Sequence, residues 1–228
     1  MSAGEPFSPD LVVFDCDGVL VDSERLTVEV EARVLTELGW PMEAAEVVAR
    51  WMGRTSATQL ADIAQRLGAE AAARFDDLTT AEVLAAFEAE LAAVPGVADL
   101  VDHLHAAGIA TCVASSGSHD RMAVTLRLAG LRERFEGRIF SGTEVEHGKP
   151  APDLFLHAAR TMGVEPAGCA VVEDSVYGVR AAVAAGMRAY GFGGGLTAPD
   201  LLAAEGAVVF DRMIDLVEVF SHSSSRSA

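Results

Sequence analysis

Leu11-Val12-Val13-Phe14-Asp15-Cys16-Asp17-Gly18-Val19-Leu20-Val21-Asp22 decides how the rest of this chain is read. Four apolar residues run into an acidic cluster and then a glycine. A short apolar run of this kind predicts a buried strand, and the change at Asp15 predicts its carboxyl end. Asp15 and Asp17 fall on one face of a regular strand, and at a strand end they can converge on one pocket. Gly18 lets the chain turn away. Two carboxylates this close repel unless a cation or a shared proton accompanies them. An EF-hand loop is excluded, because it needs Asp or Asn at the position held by Val19. An Asp-x-Asp-Gly turn can also simply end a strand, and this stretch alone leaves both readings open.

The 228 residues suffice for one domain, or one domain with an insertion, and half of them are hydrophobic. Against 17 basic residues stand 34 acidic ones, for a formal charge of −17. Such a field opposes nucleic acid and anionic membranes, so an anionic ligand needs local help from a metal ion, a lysine or backbone N–H groups. Cys16, Cys112 and Cys169 each lie within or at the end of an apolar run, which predicts reduced thiols in a cytoplasmic protein. Met1 to Asp10 lacks the basic start and apolar core of a secretory leader, and no apolar run has the length of a membrane span. The Ser-rich stretch 221–228 reads as a disordered tail.

Between the first strand and Pro95-Gly96 the pattern is helical throughout. Leu26, Val30, Val34 and Leu38 recur at helical spacing, and 43–52, 56–67 and 79–93 continue it. Ser56 is a candidate N-cap, as is Thr79 with Glu82 three residues on. From Pro95-Gly96 onward, helices alternate with short apolar strands at 109–114, 138–140, 169–172, 188–192 and 207–210. That alternation predicts an α/β fold, a parallel sheet with helices on both faces and an all-helical insertion. Ligands in such sheets bind at the strands' carboxyl ends. Those ends hold Asp15 and Asp17, Ser115 and Ser116, and Glu173 and Asp174, and an inter-strand loop holds Lys149. The carboxylates suit Mg²⁺, Ser115 with the N–H groups of Ser116 and Gly117 suits an anion, and Lys149 adds a compact positive charge.

These residues stand in an order that resembles the haloacid dehalogenase-like hydrolase superfamily. Asp15-Cys16-Asp17-Gly18-Val19-Leu20-Val21-Asp22-Ser23-Glu24 looks like its first motif, and Val113-Ala114-Ser115-Ser116 is similar to its second. Gly148-Lys149-Pro150-Ala151-Pro152-Asp153 looks like the third, in the form common among sugar-phosphate phosphatases and β-phosphoglucomutase-like members. Val171-Val172-Glu173-Asp174-Ser175 followed by Gly178 resembles the fourth. The resemblance implies a Rossmann-like core over residues 1–22 and 95–220 with a helical cap domain over 23–94. It implies that Asp15 forms an aspartyl-phosphate and that Asp17 carries the proton. Mg²⁺ would be held by Asp15, the Asp17 carbonyl and Asp174, with Glu173 near or in its shell; Ser115, Ser116 and Lys149 would hold the phosphate. Dehalogenases of that superfamily lack the second Asp and need no metal, so Asp17 and Asp174 favour phosphate chemistry.

The expected activity is a Mg²⁺-dependent phosphatase acting on a small phosphorylated metabolite, a sugar or polyol phosphate, with a monomer as the default. The alternative is a β-phosphoglucomutase-like phosphotransferase. Such mutases typically carry a histidine in the first cap helix and an arginine a few residues after the cap glycine, where this chain has Glu24-Arg25-Leu26-Thr27 and Gly53-Arg54-Thr55-Ser56-Ala57. Arg54 is a candidate specificity residue. A non-catalytic binding protein is a remoter alternative, since Asp15, Asp17 and Lys149 are all present. His119 and His147 flank the site in sequence, whereas His103 and His105 fall on different faces of a helix and read as surface residues.

Overall fold

The computed structural model describes residues 7–52 and 56–221. Arg54 and the stretch 222–228 lie outside the described residues. The chain divides into two compact units, Met1–Val21 with Ala93–Ala228, and Asp22–Ala92.

The first unit is a six-stranded parallel sheet in the order β3-β2-β1-β4-β5-β6, formed by β1 (Leu11–Phe14), β2 (Ala110–Ser115), β3 (Ile139–Ser141), β4 (Cys169–Glu173), β5 (Arg188–Phe192) and β6 (Val208–Phe210). The apolar run read as a buried strand is the centre of that sheet, with Phe14 level with Val113 of β2 on one side and Val172 of β4 on the other. All four β1 residues are fully buried, as a strand covered on both faces requires. Side chains alternate across it. Leu11 and Val13 join a cluster with Leu154, Phe155, Val179 and Ala182, while Phe14 meets the edge of Phe135 at 6.0 Å between ring centres.

The second unit contains α1 (Ser23–Glu37), α2 (Ala44–Trp51), α3 (Ser56–Leu67) and α4 (Ala69–Glu90). α1 and α3 pack on α4. Trp40 and Trp51 meet edge to face at 5.6 Å, with the Arg50 and Arg66 guanidinium groups 5.1 and 4.5 Å from the Trp40 ring centre. Thr79 departs from the expected N-cap. The good helix formers from Ala69 onward carry the helix through it, and its hydroxyl donates to the Phe75 carbonyl at 2.7 Å. A capping box does exist, at Glu43 and Glu46 at the start of α2.

The sheet's helices are α5 (Val97–Ala106), α6 (His119–Leu128), α7 (Asp153–Met162), α8 (Val176–Ala184), α9 (Pro199–Ala204) and α10 (Asp215–Ser221). The last of these has no counterpart in the sequence reading. Its Leu216 and Phe220 are buried, and Phe220 meets Tyr190 of β5 edge to face at 5.1 Å. His105 is exposed, as expected, and its Nε2 shares a 2.7 Å hydrogen bond with the buried Thr111 of β2.

Because Phe14 is fully enclosed at the sheet centre, Phe14→Ala should cost about 3–5 kcal/mol by cavity formation. Urea denaturation followed by far-UV circular dichroism measures this, and a loss under about 1 kcal/mol would contradict the packing described.

Candidate active site

Strands β1, β2 and β4 end at the same edge of the sheet, and each end delivers one of the expected motifs. The ladder runs one residue past β1, where the Asp15 N–H donates to the Val172 carbonyl at 3.0 Å. The chain then turns at Gly18, whose φ of +78° is left-handed. A side chain there would also collide with Asp174, since a Cβ would fall 2.0 Å from its Oδ2. Glycine therefore brings the β4 carboxylate hard against the acidic turn after β1.

Lys149 is the contact around which the buried groups are arranged. Its Nζ donates to Asp15 Oδ1 at 2.5 Å and to Glu173 Oε1 at 2.7 Å, with the Phe155 ring centre 4.8 Å away. All three charged side chains are almost wholly buried. The second Glu173 oxygen accepts from both the N–H and the hydroxyl of Ser175 at 2.8 Å. Ser175 in turn caps α8 by accepting from Gly178 N–H at 3.0 Å. Gly178 is required here, because a Cβ would lie 1.7 Å from Glu173 Oε1.

One ammonium faces two carboxylates. Burial lowers the Lys149 pKa, but Asp15 and Glu173 outweigh that and raise it, so the ammonium keeps its proton. Burial pushes the Asp15 carboxyl up to about 8 against the pull of Lys149, and Glu173 adds to the rise.

Ser115, at the end of β2, is buried, while Ser116 is exposed. The anion cradle expected at this point is partly closed, since the Gly117 N–H donates to Ser115 Oγ at 3.1 Å. The helix starts later, with Ser118 as N-cap of α6. Asp17 is less buried than Asp15, and its Oδ1 accepts from Arg121 Nη2 at 3.1 Å. Sequence reasoning missed Arg121. The signal available was an arginine in the first turn of a helix, where the dipole disfavours a cation. The His119 Nε2 lies 3.4 Å from a Glu144 oxygen and the His147 Nδ1 lies 3.1 Å from an Asp153 oxygen.

Among the described residues no three His, Cys, Asp or Glu side chains converge in a way that could hold a metal ion. Both Glu173 oxygens are engaged by protein donors. What remains for a cation is Asp15, Asp174 and the Asp17 carbonyl, a small set of hard oxygen donors of the kind Mg²⁺ accepts together with several waters. The approach of Asp174 to Gly18 is consistent with such a site.

A sheet in this order, with a buried ammonium and carboxylates at the ends of its central strands, defines a class of α/β enzyme that handles an anionic group beside a topological switch point. The family model for haloacid dehalogenase-like hydrolases matches residues 9–186, and the chain belongs to that family. It is 31% identical over 188 residues to 6-phosphogluconate phosphatase of Escherichia coli (strain K12), covering 80% of this chain and 82% of that one. It is 36% identical over 177 residues to hexitol phosphatase A of the same organism, covering 76% and 78%. A solved HAD family hydrolase from Deinococcus radiodurans R1, with bound phosphate and sodium, superposes with a TM-score of 0.81 at 31% identity, covering 95% of this chain and 98% of that one. The chain is an enzyme, a phosphoric monoester hydrolase of the haloacid dehalogenase-like type.

Lys149→Met should lower stability by about 3–5 kcal/mol at pH 8, because it strands buried carboxylates. Without the ammonium, the Asp15 carboxyl rises further above its ordinary value of 3.8. Its folded form then holds a proton that the unfolded chain has released, so stability falls as pH rises through that window. Because Asp15 in the intact protein already keeps its proton up to about pH 8, the extra loss falls above that value, and melting curves taken with a chelator present should show a smaller loss at pH 7 than at pH 9.5. An equal loss at both would contradict the assignment. Gly178→Ala should destabilise by pushing Glu173 off Lys149.

Proposed function

We propose that this hydrolase is a Mg²⁺-dependent phosphatase that removes the phosphoryl group from a sugar or polyol phosphate through an aspartyl-phosphate on Asp15. The observation that carries the reading is the buried Lys149, which sits between Asp15 and Glu173 at the strand ends and can meet a dianionic phosphoryl group beside a carboxylate nucleophile. Phosphoryl transfer is governed mainly by positioning and charge neutralisation, and this arrangement supplies both.

In the first step the Asp15 carboxylate attacks phosphorus in line. The phosphorus–oxygen bond to the sugar breaks, and Asp17 gives its proton to the departing oxygen. In the second step Asp17 takes a proton from a water molecule that attacks the aspartyl-phosphate, releasing inorganic phosphate and restoring Asp15. Lys149 and the Ser115 hydroxyl hold the phosphoryl oxygens through both steps, and Glu173 keeps Lys149 in place. Mg²⁺, when bound by Asp15, Asp174 and the Asp17 carbonyl, supplies charge neutralisation for the transferring group.

We read the helical unit Asp22–Ala92 as the cap that determines which phosphate ester is accepted, with Arg54 a candidate contact. Three buried free cysteines support a reducing compartment such as the cytoplasm.

Purified protein with Mg²⁺ should release inorganic phosphate stoichiometrically from members of a panel of sugar and polyol phosphates, and EDTA should stop it until Mg²⁺ is restored. Asp15→Asn should lower kcat roughly a thousandfold or more while the circular dichroism spectrum is retained. Formation of an isomeric phosphate without phosphate release would overturn the phosphatase reading, and undiminished turnover by the Asn variant would remove Asp15 as nucleophile.

A further inference from the structure

Asp17 has a partner that the two-step scheme does not use. Arg121 lies 104 positions away in the first turn of α6, and its Nη2 donates to Asp17 Oδ1 at 3.1 Å. The backbone from which Arg121 projects is anchored on both sides. Ser118 Oγ accepts from the Arg121 N–H at 3.3 Å, and Ser141 Oγ, at the end of β3, donates to the Gly117 carbonyl at 2.7 Å. A positive charge in the first turn of a helix works against the dipole, so the arginine is held there at a cost to the helix itself.

The missing side chain of Gly117 marks where the groups meet. A Cβ at that position would lie 3.4 Å from Ser115 Oγ, 3.6 Å from Arg121 Cδ and 3.7 Å from Asp17 Oδ2. Oδ1 thus accepts from the arginine, and Oδ2 borders the same small space beside Gly117 as the Ser115 hydroxyl. A partly exposed aspartate in a turn otherwise samples several rotamers, and its last torsion is broad.

We propose that Arg121 is a positioning residue that fixes which Asp17 oxygen faces the reacting phosphoryl group, so that the proton is delivered to the leaving oxygen rather than carried at random. The proposal rests on the assignment of Asp17 as the proton carrier. In the step concerned, an Asp15 oxygen–phosphorus bond forms, the bond from phosphorus to the leaving oxygen breaks, and that oxygen takes the Asp17 proton. Only a leaving group that needs the proton should notice a misplaced Asp17.

The test compares kcat/KM, which reports phosphoryl transfer to the enzyme, for an accepted alkyl phosphate and for p-nitrophenyl phosphate, whose leaving group departs unprotonated. Arg121→Ala should lose about 10- to 100-fold on the alkyl phosphate and no more than about 3-fold on the aryl phosphate. Arg121→Lys should restore part of the difference, and it provides the reading if the Ala variant does not fold. Equal losses on both substrates, or no loss on either, overturn the proposal. Asp17→Asn separates two kinds of failure. If it shows the leaving-group discrimination and Arg121→Ala does not, positioning alone falls. If Asp17→Asn shows none, the proton-carrier assignment falls and the proposal with it.

Discussion

A single ammonium held between two buried carboxylates organises this molecule. Lys149 reaches Asp15 from a loop and Glu173 from the end of β4, so one side chain ties together the ends of the two central strands. Such a cluster survives in a core only if its hydrogen-bonding capacity is nearly exhausted. The chain meets that demand in series. Ser175 occupies the far oxygen of Glu173, Gly178 donates to Ser175, and the absence of a side chain at Gly178 leaves room for the Glu173 carboxylate. The Phe155 ring closes one side of the ammonium. Burial is the main cause that raises Asp15, and Glu173 adds to the rise; a divalent cation beside these carboxylates would oppose it.

The chain carries a formal charge of −17, yet the work proposed for it is on an anion. The long-range field therefore opposes the ligand, and binding has to come from groups within contact distance. Lys149 and Arg121 are cations brought to the carboxyl edge of the sheet, and each is already engaged to an aspartate there. An arriving phosphate ester must compete for charges that the protein has satisfied internally, which favours a ligand that makes several contacts at once.

Much of this could be read from the sequence before any coordinates. Strand ends are legible where apolar runs stop abruptly at polar residues, as at Asp15, Ser115 and Glu173, because burial on both faces leaves no alternation to confuse. The parallel sheet followed from the alternation of elements. Thr79 misled because its hydroxyl can serve a helix interior, by bonding the carbonyl four residues back, as well as it serves a start. α10 was missed because its seven residues give too short a window for periodicity, and tertiary packing of Leu216 and Phe220 stabilises it. In the site, residue types pointed to carboxylates and a lysine, but not to how their oxygens are shared. Residue type placed Glu173 near a metal, whereas only the coordinates show that its oxygens accept from Lys149 and Ser175. Arg121 had no motif to announce it, since its meaning depends on a residue 104 positions earlier.

The 134 positions between Asp15 and Lys149 bear on how the enzyme comes into being. A ribosome releases β1 first, then the helical segment, and only much later the lysine and the β4 acids that complete the cluster. Pairings this distant in sequence form late, after loop closure has been met by the packing of the sheet. A nascent or truncated chain that ends before Lys149 lacks both the ammonium that pairs with Asp15 and the Glu173 that pairs with that ammonium. The cluster of Asp15, Lys149 and Glu173 is thus complete only once β4 has been made.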